Sequence, residues 1–176
     1  RDVLGRPSAA ERVHLYRNLG DGRFVDVAPD MGLDAVLFPM GCNFGDLDND
    51  GWLDVYAATG GPDYRALMPN RMFRNDRGRR FEDVTTAGGF GHLQKGHAVA
   101  FADLDDDGDQ DVYTVLGGAW SGDVYPNALF ANPGFDAAWV SLVLEGRSSN
   151  RSAVGAAIAL EAVGPEGRRT LHRTVS

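Results

Sequence analysis

The feature that most constrains this chain is a sequence pattern that recurs at a fixed spacing of 57 residues without a gap. The tetrapeptide LYRN begins at Leu15, its near-copy MFRN begins at Met72, and the weaker copy LFAN begins at Leu129. The same shift superposes FGDLDNDGWLDVY (residues 44–56) on FADLDDDGDQDVY (residues 101–113). Such a spacing is typical of an array of structural units, in which each unit packs against its neighbours.

Each unit contains short segments that are typical of β-strands. The stretch before each aspartate-rich segment is small and apolar, and the stretches after it, Leu53–Thr59 and Gln110–Val115, are rich in β-branched and aromatic residues. A third strand is predicted at the LYRN-type segment, and after a tight turn a fourth begins at Arg23 or Arg80. Four short strands per unit, without helical periodicity, predict an all-β fold made of propeller blades.

The repeat predicts two domains. Residues 1–135 are predicted to form about two four-stranded blades plus part of a third, and residues 136–176 a β-rich segment of a different pattern. A propeller ring needs at least four blades, and an open array exposes apolar faces. We therefore expect the native protein to be longer and to supply the remaining blades. The first residue is Arg1, without a methionine or signal peptide, which also predicts a fragment or a processed form.

Both aspartate-rich segments carry the oxygen donors of a calcium loop. Ca²⁺ takes six to eight oxygen ligands, and carboxylates on alternate residues can surround it. The predicted ligands are carboxylates at loop positions 1, 3, 5 and 9 and a backbone carbonyl at position 7, with glycine at position 6 for the turn. They are Asp46, Asp48, Asp50, Trp52 and Asp54 in the first loop, and Asp103, Asp105, Asp107, Asp109 and Asp111 in the second. The sequence thus predicts two Ca²⁺ sites.

These loops differ from an EF-hand at position 12, where Ala57 or Thr114 replaces the bidentate glutamate. Strands are predicted on both sides of each loop, so we expect a β-hairpin calcium loop that holds a structural ion. Mg²⁺ is less suited, because it keeps several waters. The alternative, a solvated acidic turn, leaves four carboxylates within nine residues without a counter-ion.

Charge and composition exclude several classes of function. The formal net charge is −8, which equals the charge of the eight carboxylates in the two predicted sites, and there is no basic face for a nucleic acid. No apolar run approaches the roughly 18 residues that a membrane span needs. The four histidines do not accompany a serine or cysteine motif, so no catalytic residue is predicted and the chain is expected not to be an enzyme.

The complete DxDxDGxxD pattern in both segments resembles FG-GAP/VCBS repeats, the blade units of integrin-α-like propellers, over about residues 12–132. In that family the loop joins neighbouring strands of one blade and its Ca²⁺ is structural. The resemblance therefore implies that ligand contacts lie elsewhere on the ring.

The chain after the third tetrapeptide is similar to the start of an ASPIC/UnbV domain. The similar segments are Trp139–Gly146, Ser149–Arg151 and Ala153–Ala156, although Ala157 stands where that family typically has arginine. This domain follows FG-GAP repeats in the cartilage acidic protein family, and the chain ends before it would be complete. Because that family is mostly secreted or surface-bound, the resemblance implies a secreted, cell-surface or periplasmic location.

Together these observations predict a non-enzymatic, calcium-stabilised extracellular module for adhesion or recognition of a protein or glycan partner. One alternative is a carbohydrate-binding propeller, either a lectin or an accessory part of a polysaccharide-processing enzyme, since aromatic side chains can stack on sugars. Another is that catalytic residues lie outside this chain. The aromatic candidates for stacking are Trp52, Tyr56, Tyr64, Tyr113, Trp120 and Tyr125.

Overall fold

The computed structural model describes residues 12–61, 67–118, 121–122, 124–135, 137–164 and 167–175. All regular elements in these ranges are β-strands. The described part of the chain contains no helix that is long and apolar enough to cross a membrane. The chain divides into two compact units, Arg1–Ala137 and Ala138–Ser176. The strands are β1 (Tyr16–Asn18), β2 (Phe24–Asp26), β3 (Pro39–Gly45), β4 (Asp54–Thr59), β5 (Arg71–Asp76), β6 (Arg80–Asp83), β7 (Gly96–Ala102), β8 (Asp111–Leu116), β9 (Ala128–Phe130), β10 (Ala157–Gly164) and β11 (Gly167–Thr174).

The first unit contains three antiparallel sheets with the strand orders β1-β2, β3-β4-β5-β6 and β7-β8-β9. Their registers repeat at the spacing found in the sequence. Gly45 pairs with Asp54 in the second sheet, and Ala102 pairs with Asp111 in the third. Even the irregularity near the start of β3, after Pro39, recurs at the start of β7. The all-β architecture and the strand order within each blade are therefore confirmed.

The sheets agree in part with the prediction of about two four-stranded blades plus part of a third. Among the described residues, the second sheet alone has four strands, the third has three and the first has two. The strand equivalent to β6 would fall at residues 137–140, where Ala-Ala-Trp-Val replaces Arg-Phe-Glu-Asp and no strand forms. Three sheets are fewer than the four that a ring requires. The described residues are thus consistent with propeller-like blades but do not form a closed propeller.

Strand β4 is buried along its whole length because both of its faces pack against other parts of the unit. Side chains alternate between the two faces of a strand. Val55 and Ala57 join one core with Phe73 and Phe81, to which the segment after β2 also contributes. The core on the opposite face consists of Tyr56, Ala58, Met72, Phe90 and Val112, with Val99, Phe101 and Phe130 packed against it. The sheets are therefore stacked face to face, as the near-continuous apolar sequence of β4 requires.

Two glycines in β3 allow the second and third sheets to approach closely. A Cβ atom on Gly45 would lie 2.1 Å from the ring of Phe101, and one on Gly41 would lie 2.4 Å from the carbonyl oxygen of His97. At the equivalent positions of β7 the repeat has Ala98 and Ala102. The Gly/Ala difference between the two repeats thus follows from the contact that β3 makes with β7.

The second unit contains one long antiparallel hairpin. Strands β10 and β11 pair from Ala157 with Thr174 to Gly164 with Gly167. The described residues between 138 and 156 form no regular strand, and Asn150 closes a local loop by exchanging two hydrogen bonds with Val154. This unit is β-rich, as predicted, but its similarity to an ASPIC/UnbV domain stays a prediction.

Candidate metal centres

The two aspartate loops connect equivalent strands and have left-handed residues at the same two positions. The first joins β3 to β4 and the second joins β7 to β8. Position 4 is left-handed in both, with φ of 52° at Asn49 and 61° at Asp106, and position 6 is left-handed at Gly51 and Gly108, with φ of 89° and 95°. Glycine adopts this conformation without the Cβ penalty, and Asn and Asp tolerate it better than most residues. The prediction of a β-hairpin loop without flanking helices is confirmed.

Three predicted ligands converge in each loop. One carboxylate oxygen from each of Asp46, Asp48 and Asp50 lies within 4.8 Å of the others, and the same holds for the equivalent triplet of the second loop. The first triplet is half-buried and the second is exposed. The second triplet consists of Asp103, Asp105 and Asp107.

Backbone N–H groups of the loops hold these carboxylates in place. Gly51 N donates to both carboxylate oxygens of Asp46, at 3.2 and 2.9 Å. In the second loop Asp107 N and Gly108 N donate to the two oxygens of Asp103, at 3.1 and 3.0 Å. The loop backbone therefore orients the position-1 carboxylate in both repeats.

Asp48 provides the sharpest test of whether the first triplet fits a cation. Its Oδ1 atom is buried and accepts no hydrogen bond. An unsatisfied buried acceptor costs about 1–3 kcal/mol. The atoms next to it that could also bind a metal ion are carboxylate oxygens of Asp46 and Asp50, and Ca²⁺ prefers oxygen ligands of this kind. The residues present thus fit a hard divalent cation.

The position-9 aspartates have a structural role that the sequence did not indicate. Asp54 is fully buried, and its two carboxylate oxygens accept hydrogen bonds from Leu47 N and Asn75 N, both at 2.7 Å. Asp111 repeats the arrangement with Leu104 N at 3.1 Å and Asn132 N at 2.8 Å. Each carboxylate thereby ties the start of its loop to the third strand of the blade or the residues just after it. Coordination of a cation by Asp54 and Asp111 stays a prediction.

Burial raises the pKa of Asp54 to about 7, and the nearby charges of Asp48 and Asp46 act in the same direction. The hydrogen bonds from Asn75 N and Leu47 N oppose this shift because they stabilise the charged form. A neighbouring divalent cation would favour the ionised carboxylate.

The asparagine that ends each tetrapeptide was missed as a site residue. The Asn75 side chain donates to Leu53 O at 3.1 Å, and the equivalent Asn132 donates to Gln110 O at 3.1 Å. Both therefore bind the end of the aspartate loop as well as the position-9 carboxylate. The sequence did contain a signal for this residue: all three copies, LYRN, MFRN and LFAN, end in asparagine, although the third copy has alanine in place of the preceding arginine.

The position-7 residues are placed differently in the two loops. The Trp52 ring lies against Gly78, where a Cβ would be 2.5 Å from Cζ3, and Asp109 is nearly buried. Metal coordination by their backbone carbonyls stays a prediction.

The FG-GAP-like repeat matches this chain over residues 1–57 and 46–114, which is more than half of its length. The chain belongs to the FG-GAP-like repeat family. The second match contains both aspartate loops, and together the matches include strands β1 to β7 and most of β8. No curated protein matches the chain. The match ends before residue 139, so it does not support the resemblance to the ASPIC/UnbV domain or to the cartilage acidic protein type.

The two FG-GAP-like loops differ in the charge around them. The guanidinium of Arg74 pairs with Glu82 at 2.8 Å and also lies in the field of Asp48 and Asp54. The residue equivalent to Arg74 in the next repeat is Ala131. The second loop also has Asp106 and Asp109 where the first has Asn49 and Trp52. Burial and the charges of Asp107, Asp111 and Asp103 raise the pKa of Asp105. The first FG-GAP-like site is therefore the less negative of the two.

We predict that Arg74→Ala strengthens Ca²⁺ binding at the first site by about two- to fivefold, because it removes a positive charge that repels the ion. At a partly exposed position the interaction energy between two such charges is up to about 1 kcal/mol. Calorimetry in an Asp105→Asn background isolates this site. Arg80→Ala is the matched control, since Arg80 also pairs with Glu82 but is more exposed than Arg74. An affinity that is unchanged in Arg74→Ala, or equally raised in Arg80→Ala, would contradict the prediction.

Proposed function

We propose that this chain is a calcium-stabilised, non-enzymatic propeller-type module that serves adhesion or recognition outside the cell. Its two hairpin loops each hold one Ca²⁺, which fixes the connection between the first two strands of a blade. The observation that carries the proposal is the convergence of two equivalent aspartate triplets on the same loop backbone, in a chain of the FG-GAP-like repeat family.

The arrangement of each loop supports a structural role for the ion. In the first loop Asp46, Asp48 and Asp50 would supply carboxylate oxygens, while Asp54 anchors the loop to the third strand of the blade. Bound Ca²⁺ supplies the positive charge that offsets repulsion between these carboxylates. With the loop fixed, β3 and β4 keep their register, and β4 is the strand on which both cores of the unit depend.

The extracellular setting and the recognition role are supported by the family, since FG-GAP repeats are typical of extracellular proteins. A rigid stack of sheets suits recognition, because loops on a fixed scaffold lose little conformational entropy when a partner binds. The partner is proposed to be a protein or a glycan, bound through loops other than the two aspartate loops.

Burial excludes one of the aromatic candidates for the carbohydrate-binding alternative, whereas Trp52, Tyr113 and Tyr125 are exposed. Tyr56 is fully buried in the second core and offers no surface to a sugar. The hydroxyl of Tyr113 accepts a hydrogen bond from Asn127 at 2.6 Å, and Tyr125 makes an edge contact with His92. Tyr64 and Trp120 lie outside the described residues. Binding of the chain to defined sugars on a glycan array would support this alternative.

Calcium stoichiometry tests the proposal directly. Titration calorimetry of the metal-depleted chain is expected to show two Ca²⁺ per chain. Asp48→Asn and Asp105→Asn are each expected to bind one, because each removes a charged member of one triplet. Asp106→Asn is the control: it removes a charge at a non-ligand position of the second loop, and the stoichiometry should stay at two. Absence of Ca²⁺ binding, or equal stoichiometry in all four proteins, would overturn the proposal.

A further inference from the structure

The two aspartate loops are linked by three side chains, two of which differ from the residues at the equivalent positions of the repeat. The Asn49 side chain donates to Gly108 O at 3.0 Å and to a carboxylate oxygen of Asp109. In the other direction Asp46 N donates to the Gln110 side chain at 2.8 Å. A third link comes from the Asn132 side chain, which donates to Leu47 O at 2.7 Å.

The hydrogen bonds between the loops involve residues that belong to the two triplets or hold their carboxylates in place. Asn49 lies between Asp48 and Asp50, and Asp46 is itself a member of the first triplet. On the other side Gly108 N holds the carboxylate of Asp103, while Asn132 N holds that of Asp111. A change in the backbone of either loop therefore alters the hydrogen bonds that orient ligand residues in the other.

Two of the three side chains that form the links, those of Asn49 and Gln110, are absent from the equivalent positions of the repeat, whereas Asn132 is matched by Asn75. Asp106 stands in the second loop where the first has Asn49, and an ionised carboxylate cannot donate a hydrogen bond. Leu53 stands in the first loop where the second has Gln110, and a leucine side chain offers no acceptor. The departures from the repeat thus occur where the first loop faces the second, and each supplies a donor or acceptor that this contact uses.

We propose that the two loops bind Ca²⁺ as a coupled pair, so that occupancy of one site raises the affinity of the other through the Asn49 and Gln110 hydrogen bonds. This rests on the proposed calcium function. Binding at the second site orders Gly108 and Asp109, which fixes Asn49 and reduces the conformational entropy that the first site loses when it binds. Linkage requires the reverse effect to be of equal size.

Repulsion between two bound dications acts against this coupling. It is screened beyond about 8 Å at 0.15 M ionic strength, whereas the hydrogen bonds act by contact and are not screened in this way. We therefore expect positive coupling at that ionic strength, with an affinity increase of about fivefold or more, the lower end of the usual range for coupled sites.

The experiment compares titration calorimetry of the whole wild-type chain with that of the Asn49→Gly/Gln110→Leu double variant. Glycine keeps the left-handed conformation at position 49 available, and leucine is the residue of the equivalent position in the first loop. The wild type should bind its second Ca²⁺ more tightly, relative to its first, than the double variant does. The double variant should still bind two ions, but with most of the coupling lost, because only the link from Asn132 to Leu47 remains.

Asp106→Gly is the matched control, because it makes the same change at position 4 of the second loop. It should weaken the second site through loss of charge and retain the coupling. Independent or negatively coupled sites in the wild type, or unchanged coupling in the double variant, would overturn the proposal. If circular dichroism shows that the double variant does not fold, Asn49→Gly alone is titrated and is expected to lose at least half of the coupling free energy. Failure of the wild type to bind Ca²⁺ at all would instead reject the proposed function.

Discussion

Replacing Asp54 with alanine is expected to lower the free energy of unfolding by about 3–5 kcal/mol in saturating Ca²⁺. The carboxylate is fully buried and accepts hydrogen bonds from Leu47 N and Asn75 N. Alanine leaves both N–H groups without this acceptor, and each unsatisfied buried donor costs about 1–3 kcal/mol. Because the two donors lie at the start of the loop and at the end of β5, the loss loosens three strands of the second sheet at once. Urea denaturation followed by circular dichroism measures the change.

Two further variants separate this structural role from metal binding. Asp50→Ala removes a member of the triplet that is less buried than Asp54, so it should lower stability in Ca²⁺ but have little effect in the metal-depleted chain. Asp54→Ala should be destabilised under both conditions. Asp111→Ala makes the equivalent change in the third sheet, where the two hydrogen bonds are slightly longer, and should behave like Asp54→Ala. If Asp54→Ala and Asp50→Ala lose equal stability in Ca²⁺ and none without it, the carboxylate of Asp54 acts through the metal alone.

The parts of the fold that the sequence predicted are those governed by short-range pattern. Strand order and the position of each aspartate loop follow from local β-propensity and from the repeat, and one copy of the pattern supports the other. The converging triplets follow from carboxylates on alternate residues around a left-handed glycine, as at Gly51 and Gly108. These features need no knowledge of which residues meet across the chain.

The features that were missed depend on contacts between distant residues. Asp54 accepts a hydrogen bond from Asn75 N, and the Asn132 side chain donates one to Leu47 O. The local sequence around each of these residues gives no indication of its distant partner. Gly41 and Gly45 are explained only once β7 is seen to pack against β3. Comparing the repeats position by position could have flagged Asn49 and Gln110 as departures, but not the contact that they make.

The stability gained from Ca²⁺ is expected to increase between pH 5 and pH 8. The folded chain holds the proton of Asp54 up to about pH 7, whereas an unfolded aspartate releases it near its ordinary pKa of about 4. Between these values the folded form binds more protons than the unfolded form, so the stability of the metal-depleted chain falls as pH rises and levels off above the folded pKa. The effect is at most roughly 4 kcal/mol, at about 1.4 kcal/mol for each pH unit of difference.

Other carboxylates do not reverse this trend in the same window. The pKa of Asp21 is lowered by Arg23, and that of Glu82 is lowered by Arg80 and Arg74. A lowered pKa contributes stability that is present above the unfolded value, near pH 4, and is lost only at more acidic pH. These two groups are therefore ionised in both the folded and the unfolded chain between pH 5 and pH 8, and they do not oppose the contribution of Asp54.

Thermal melts of the metal-depleted and Ca²⁺-saturated chain at pH 5 and pH 8 measure this effect. At pH 8, Ca²⁺ at about a hundred times its dissociation constant at both sites contributes roughly 5 kcal/mol, which corresponds to an increase in Tm of roughly 10 °C or more. At pH 5 the increase should be smaller, because the metal-depleted chain keeps a neutral Asp54 and Ca²⁺ must displace its proton. Asp48→Asn removes a charge that raises the pKa of Asp54, so the metal-depleted variant should lose less stability between pH 5 and pH 8 than the wild type does. A wild-type Tm without metal that stays constant or rises from pH 5 to pH 8 would show that Asp54 is already ionised in its buried position, and that the cation is not needed to make this charge tolerable.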